Sequence, residues 1–326
     1  MARPLRIQYP DAIYHVTVRG NEQREIFRDA RDREAFLDLL RQSASIYQVK
    51  ILSYVLMENH FHLLLQTPLA NLGEFMRHFN IGYTGYYNRR HQRTGHLYQG
   101  RYRSILVEED AYLSVLSRYI HLNPVRVQSM AAKPLPARKK HLKSYRWSSL
   151  PGYLNPRKRR EFVDYETVLE EYGGDHVRGR RSYARAIGGD LAHGLKIKEK
   201  VIAQSLLGTD PFIAWVQETF LRGRRDRECP PLHQIQGYRA QEEILRALEK
   251  ETGRTREEIR ADRGSLRQMA MDLLYRIGGM KGTQIGEIMG VHYSTVSQGR
   301  KRLQEKIKKD PQLGKIMNRL EKNLAE

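Results

Sequence analysis

The run Met57-Glu58-Asn59-His60-Phe61-His62-Leu63-Leu64-Leu65-Gln66 sets two histidines around one bulky apolar residue and leads straight into an aliphatic stretch. As a β-strand it sends His60 and His62 to one face and Phe61 and Leu63 to the other. Two neutral imidazoles one strand step apart suit a divalent ion, with the remaining positions left to a carboxamide, water or phosphate. Two ligands make an incomplete site, and a pair of surface histidines on a half-buried strand has the same spacing. Residues elsewhere in the chain must supply the rest.

Around this strand the pattern alternates between periods. Ile13 to Arg19 is β-branched and aromatic-rich and stops at Gly20-Asn21, which predicts a first strand. Asp32 to about Tyr47 places Phe36, Leu37, Leu39, Leu40 and Ile46 at helical spacing. Val49 to Met57 reads as a second strand, turned through Glu58-Asn59 into the histidine strand that Pro68 closes. Leu72 to about Arg90 is helical, Tyr98 to Val107 extended, and Asp110 to Leu122 helical up to Pro124. The order β-α-β-β-α-β-α predicts an α+β domain of ferredoxin-like type, an antiparallel sheet with helices on one face.

Ala131 to Lys143, with Pro134 and Pro136, reads as a connection, and Tyr145 to Leu154 as a segment packing back through Trp147, Leu150 and Tyr153. From about 156 to 240, clusters such as Arg157-Lys158-Arg159-Arg160, Arg178-Gly179-Arg180-Arg181 and Arg222-Gly223-Arg224-Arg225 punctuate short helical patterns, including Val201 to Leu207 and Pro211 to Leu221. The clusters fit backbone-contacting loops and solvated surface equally. From Gln241 the chain is regularly helical: Gln241 to Thr252, Leu266 to Ile277, Thr283 to Met289 and a basic helix from Ser294 to about Lys308. Gly290-Val291-His292-Tyr293 makes a tight turn before the last, with Ser294 placed as its cap. A short helix, a turn and a longer helix crowded by Arg300, Lys301 and Arg302 is a helix-turn-helix pattern. The expected domains are residues 1–155, a basic connecting region 156–240, and an all-α region 241–326.

Charge narrows the partners. The 326 residues carry 57 Lys plus Arg against 37 Asp plus Glu, a surplus of 20 positive charges, which favours nucleic acid through release of condensed counterions. A single cysteine, Cys229, excludes an intrachain disulfide framework and Cys-based zinc. With no signal-peptide core at Met1 to Arg6 and no apolar run of membrane-spanning length, a soluble cytoplasmic protein with no membrane role is expected.

In Arg118-Tyr119-Ile120-His121-Leu122-Asn123-Pro124-Val125-Arg126, Tyr119 and Asn123 stand four apart on one helical face. A tyrosine hydroxyl can attack a phosphorus whose oxygens a metal polarises. The Asn123 carbonyl oxygen would complete a site of two imidazoles and one amide, a donor set that points to Mg²⁺ or Mn²⁺ rather than structural zinc. With 19 tyrosines in the chain, a packed or surface aromatic is the plain alternative for Tyr119 taken alone.

Four ordered stretches carry a resemblance: Tyr14-His15-Val16-Thr17-Val18-Arg19-Gly20-Asn21, Met57 to Leu64, Gly100-Arg101-Tyr102, and Arg118 to Arg126. Over residues 1–155 the chain resembles the REP-associated tyrosine transposases, of the HUH superfamily of single-strand DNA nucleases. The resemblance implies a sheet-based nuclease domain with His60 and His62 as the metal pair and Tyr119 as a nucleophile that forms a 5′-phosphotyrosine bond and leaves a 3′-hydroxyl. Asn123 stands where relatives carry a polar third ligand. The implied substrate is single-stranded or hairpin (palindromic repeat) DNA. Arg101 and Arg118 of these motifs, with Arg89 and Arg90, are candidate DNA contacts, and Tyr83, Tyr86 and Tyr87 are candidate stacking platforms for unpaired bases.

Ser265 to Leu274 and Gly286 to Val296 resemble the DNA-binding domain of the replication initiator DnaA. That resemblance implies duplex reading through His292, Ser294, Thr295 and Arg300, with Lys301 beside them. The chain departs from that family at Val291 and Tyr293, where the initiator carries Arg and Asp. The expected protein is a nucleoid-associated bacterial transposase-type endonuclease and strand transferase, a monomer or homodimer. A catalytically silent DNA-binding regulator of repeats, or a metal-dependent RNA nuclease, are its rivals.

Overall fold

The computed structural model of the chain describes residues 6–195, 197, 200–222, 232, 235–236 and 238–325. Cys229, the arginines at 224 and 225, and the stretch before Arg6 lie outside them. The chain forms two units, Arg6–Val201 with Ser205–Thr209, and Asp210–Glu326 with Ile202–Gln204.

In the first unit β1 (Ala12–Arg19), α1 (Ala30–Tyr47), β2 (Lys50–Leu56), β3 (His60–Thr67), α2 (Leu72–Arg90), β4 (Arg103–Val107) and α3 (Glu109–His121) follow in the order read from the sequence. The strands lie side by side as β2-β3-β1-β4 with every neighbour antiparallel, the ferredoxin-like arrangement. Asp29 starts α1 by accepting the Asp32 backbone N–H at 3.0 Å, and Gln48 ends it in the left-handed region. Phe36 on α1 is fully buried, with Phe61 of β3 and Phe79 of α2 edge-on at 4.8 Å each. This aromatic cluster joins α1 and α2 to one sheet face.

The expectation of helices on one face is corrected. Next to Phe61 in β3, His62 points the opposite way and meets Tyr119 of α3, ring centroids 6.5 Å apart. Ser53 of β2 shares a 2.7 Å hydrogen bond with Ser117 of α3. The reason lies in the strands: β3 is buried from Phe61 to Thr67 and β2 from Ile51 to Leu56, so both sheet faces need cover.

Further along, Leu135–Ser144 forms a helix, α4, where a connection was expected. Pro134 and Pro136 sit at its N-cap and first turn, positions with no backbone N–H to lose, and Leu142 anchors it. Residues 145–154 pack back as anticipated: Ser149 accepts the Tyr54 backbone N–H at 2.9 Å, and the Tyr153 hydroxyl donates to Leu52 O at 2.5 Å. Residues 156–195 fold with this unit through buried Tyr165, Val168, Leu169 and the helix α5 (Val177–His193), whose Tyr183, Ile187 and Leu191 face inward. Their arginine clusters are partly paired, Arg159 and Arg180 with Asp175, and Arg160 with Glu34. Val201 to Leu207, expected to be helical, instead contains a two-residue strand, β5 (Leu206–Leu207), parallel to β4. The open edge of β4 dictates this, since Leu106 and Glu108 donate their N–H groups to Ser205 and Leu207 carbonyls at 2.8 and 2.9 Å.

The second unit begins with α6 (Asp210–Val216), continued by a π-turn to Leu221. It then runs α7 (Gln241–Thr252), α8 (Arg256–Ala261), α9 (Ser265–Arg276), α10 (Gly282–Met289), α11 (Tyr293–Lys309) and α12 (Pro311–Ala325). Ile244, Leu248, Met269, Leu273, Ile285, Val296, Leu303, Met317 and Leu320 form its core. Two of these helices have no counterpart among the elements expected from the sequence: α8, opened by a Thr255–Glu258 capping box, and α12, with Leu313, Met317, Leu320 and Leu324 on one stripe. Gly290, at φ 65°, turns α10 toward α11, and a Cβ on Gly286 would meet Val291 O at 2.5 Å. Among the described residues no helix is long and apolar enough to cross a membrane.

Candidate active site

β1 and β3 pair with Thr17 opposite His62 and His15 opposite Leu64, which brings three imidazoles to one sheet face. His60 and His62 share that face as their spacing predicts, ring centroids 5.1 Å apart. Asn59 Oδ1 lies 2.7 Å from His60 Nδ1. His62 Nδ1 lies 2.8 Å from His15 Nε2 and 3.1 Å from Thr17 Oγ1. A ligand bond from either ring would run through Nε2, opposite the Nδ1 that faces these neighbours. A ligated His62 must then carry its proton on Nδ1, so His62 donates and His15 accepts. His15, Thr17 and Asn59 lie inside the motif stretches without a role read from the sequence, and the fold brings their side chains to His60 and His62. The i, i+2 spacing of His15 and Thr17 on the strand that pairs with β3 is the signal that finds the first two.

Tyr119 enters the same face from α3. Only 3% exposed, its ring stands edge-on to His15 and His62, at 6.2 and 6.5 Å between centroids. The Arg126 guanidinium lies over it, 4.5 Å from the ring centre. Asn123 Nδ2 donates to the Tyr119 and Ile120 carbonyls at 3.1 Å each, closing the C-terminal end of α3. Its amide nitrogen is thus committed to the backbone, and a ligand role falls to Oδ1. Among the described residues no group of three or more His, Cys, Asp or Glu is placed to hold a metal.

Two residues after Tyr119, His121 points away from the site and is fully buried. Its Nδ1 lies 2.7 Å from the Tyr183 hydroxyl and its Nε2 2.7 Å from Ser149 Oγ. Burial pushes its pKa down to about 3, so the ring is neutral at working pH.

The candidate DNA contacts divide. Arg89 and Arg101 are exposed, as that role requires. Arg90 is instead bound to Asp29 and Asp32 at the start of α1. The Arg90 hydrogen bond, then the Asp32 backbone N–H, hold the Asp29 carboxyl well below the usual carboxylate range. Arg118 pairs with Asp190 at 2.5 Å and with the Tyr172 hydroxyl, away from the histidines. Tyr83 and Tyr87 are core residues whose hydroxyls donate to Ile26 O and Glu25 O at 2.7 and 3.2 Å, and Tyr86 stacks on Tyr83. Tyr83 and Tyr87 are therefore corrected from stacking platform to packing, while Tyr86 is partly exposed.

In the second unit His292, Ser294, Thr295 and Lys301 are exposed around the start and outer face of α11. The N-cap of α11 is His292 rather than Ser294, and Ser294 Oγ lies 2.9 Å from the His292 ring. Arg300 lies 3.4 Å over the Tyr275 ring and donates to Asp272 at 3.3 Å, so it ties α11 to α9.

These elements define a ferredoxin-like domain that carries a histidine-pair strand and a tyrosine helix on the same sheet face. Residues 8–123, which include both histidines, Tyr119 and Asn123, match the family model of IS200-like transposases. Among solved structures the chain matches a REP-associated tyrosine transposase bound to a REP hairpin, at 14% identity, over 54% of this chain and 98% of that one, with a TM-score of 0.39. No curated protein matches the sequence.

Proposed function

We propose that the chain cleaves and rejoins single-stranded or hairpin DNA through a covalent tyrosine intermediate. One observation carries this reading: Tyr119, His62 and His15 converge on a single sheet face inside the stretch that matches the IS200-like transposase family model. His60 and His62, with Asn123 Oδ1, would hold Mg²⁺ or Mn²⁺, which would neutralise charge on the scissile phosphate oxygens. The Tyr119 hydroxyl gives up its proton to solvent and its oxygen forms a bond to that phosphorus as the bond to the 3′-oxygen breaks. The departing 3′-oxygen takes up a proton, leaving a 3′-hydroxyl and a 5′-phosphotyrosine. One phosphodiester is exchanged for another, so attack by a 3′-hydroxyl on the phosphotyrosine reverses the step and joins strands. His15 and Thr17 hold the His62 ring, and Asn123 holds the end of the helix bearing the nucleophile. Incubation with a palindromic hairpin oligonucleotide and Mn²⁺ is expected to give a denaturant-resistant protein–DNA adduct that EDTA prevents. The same adduct at equal yield in EDTA would remove the metal from the account. Equal yield on a matched RNA hairpin would overturn the substrate assignment.

For the second unit we read α10, its turn and α11 as a helix-turn-helix that grips duplex DNA, on the strength of the exposed His292, Ser294, Thr295 and Lys301. Replacing Lys301 and Arg302 together by alanine is expected to lower the slope of log affinity against log salt by about 2 on duplex, roughly one for each phosphate no longer neutralised. Hairpin cleavage should hardly change. An unchanged slope would place duplex binding elsewhere.

A further inference from the structure

We propose that α5 and the turn after it form a clamp that positions the nucleophile helix, with Asp190 and Tyr183 on α5 and Arg126, braced by the turn, as the positioning residues. The proposal rests on Tyr119 being the nucleophile. Three residues within two positions of Tyr119 are held by this stretch. Ser117 Oγ and His121 Nδ1 both bond the Tyr183 hydroxyl, at 2.8 and 2.7 Å. Arg118 Nε donates to Asp190 Oδ2 at 2.5 Å, and its Nη1 to the Tyr172 hydroxyl. At about 100° per residue Arg118 lies about 100° and Ser117 and His121 about 160° around α3 from Tyr119, and Ser117 is also tied to Ser53 of β2 at 2.7 Å.

The front of the tyrosine is held by the same segment. Arg126 covers the Tyr119 ring and donates from Nη2 to Leu195 O at 2.6 Å. Gly194, at φ 83° and ψ 155°, ends α5 in a conformation that glycine alone adopts freely, and Leu195 follows it directly. One continuous stretch, Tyr172 to Leu195, therefore grips α3 and braces the residue over the nucleophile.

The polarity of these links separates a clamp from ordinary packing. An apolar interface tolerates rotation of a helix by a few degrees, whereas buried hydroxyl, imidazole and ion-pair bonds have fixed directions. Rotation of α3 about its axis decides where the Tyr119 hydroxyl points, and a misplacement of about 1 Å can cost as much as ~100-fold in rate. Arg126, Tyr172, Tyr183, Asp190 and Leu195 all lie beyond residue 123, where the transposase-family match ends. The basic connecting region thus acquires a task within the catalytic unit.

Asp190→Asn removes the charge and keeps the shape, and Tyr183→Phe removes a single hydroxyl at an independent point. Each is expected to slow single-turnover adduct formation by about tenfold or more, with hairpin affinity within twofold of wild type. Amide exchange across residues 117–121 should quicken. Arg126→Ala is expected to slow the adduct step, and Arg126→Lys to restore part of the rate. Single-turnover rates within twofold of wild type for both Asp190→Asn and Tyr183→Phe would overturn the clamp, as would a rate loss matched by an equal loss of hairpin affinity. A wild-type protein that forms no adduct would refute the strand-transfer reading instead, and amide exchange in α3 would still report whether Asp190 and Tyr183 hold the helix.

Discussion

Tyr119→Phe is expected to abolish the covalent adduct, lowering its rate of formation by roughly three orders of magnitude or more, because no other group can take the place of a lost nucleophile. The change deletes one oxygen from a ring already fixed by its surroundings. Arg126 over its face and the edges of His15 and His62 all contact ring carbon, which phenylalanine retains. Folding and hairpin affinity should therefore stay close to wild type, so loss of adduct with retained binding isolates chemistry from recognition. Gel-shift titration and denaturing electrophoresis of the same samples measure both. Residual adduct at more than a few per cent of the wild-type rate would mean that another residue attacks.

His62→Ala is expected to have the second-largest effect. It removes one proposed ligand and also leaves His15 Nε2 and Thr17 Oγ1 without the ring that joins them. Where removal of an outer-shell partner alone costs ~10–100-fold in metal affinity or activity, loss of the ligand itself should cost more. His60→Ala should behave similarly, with less disturbance of the fold, since His60 is only partly buried while His62 is 7% exposed. Binding of Mn²⁺, followed by calorimetry or by paramagnetic broadening of histidine resonances, should disappear in the double variant. Unaltered Mn²⁺ binding would show that the ion sits elsewhere.

The strand that carries the histidines could be read from sequence because its alternation is local, and the register of β3 against β1 then follows from burial of Phe61, Leu63 and Leu65. Placement of α3 on the opposite face was also written there, in the unbroken apolar runs Ile51–Leu52 and Leu63–Leu65 that signal strands covered on both sides. Phe75, Phe79, Tyr83 and Tyr87 recur at a four-residue interval, a core stripe of α2 that argues against a base-stacking surface. Other features lie beyond any local pattern. Arg118 and Asp190 are 72 positions apart, and no period connects them. Likewise β5 is two residues long and exists because β4 presents an unpaired edge. Arg90 is indistinguishable in sequence from its exposed neighbour Arg89, and only the fold brings Asp29 and Asp32 to it.

The most direct test of the central claim is to identify the bond itself. A hairpin oligonucleotide labelled with different dyes at its two ends, incubated with the protein and Mn²⁺, then digested and analysed by mass spectrometry, reports the residue joined and the polarity of the break. The expected product is a peptide containing Tyr119 linked to the 5′-phosphate of the downstream strand, with the upstream strand released bearing a 3′-hydroxyl. Linkage to any other residue, a 3′-phosphotyrosine, or cleavage without a covalent bond would contradict it.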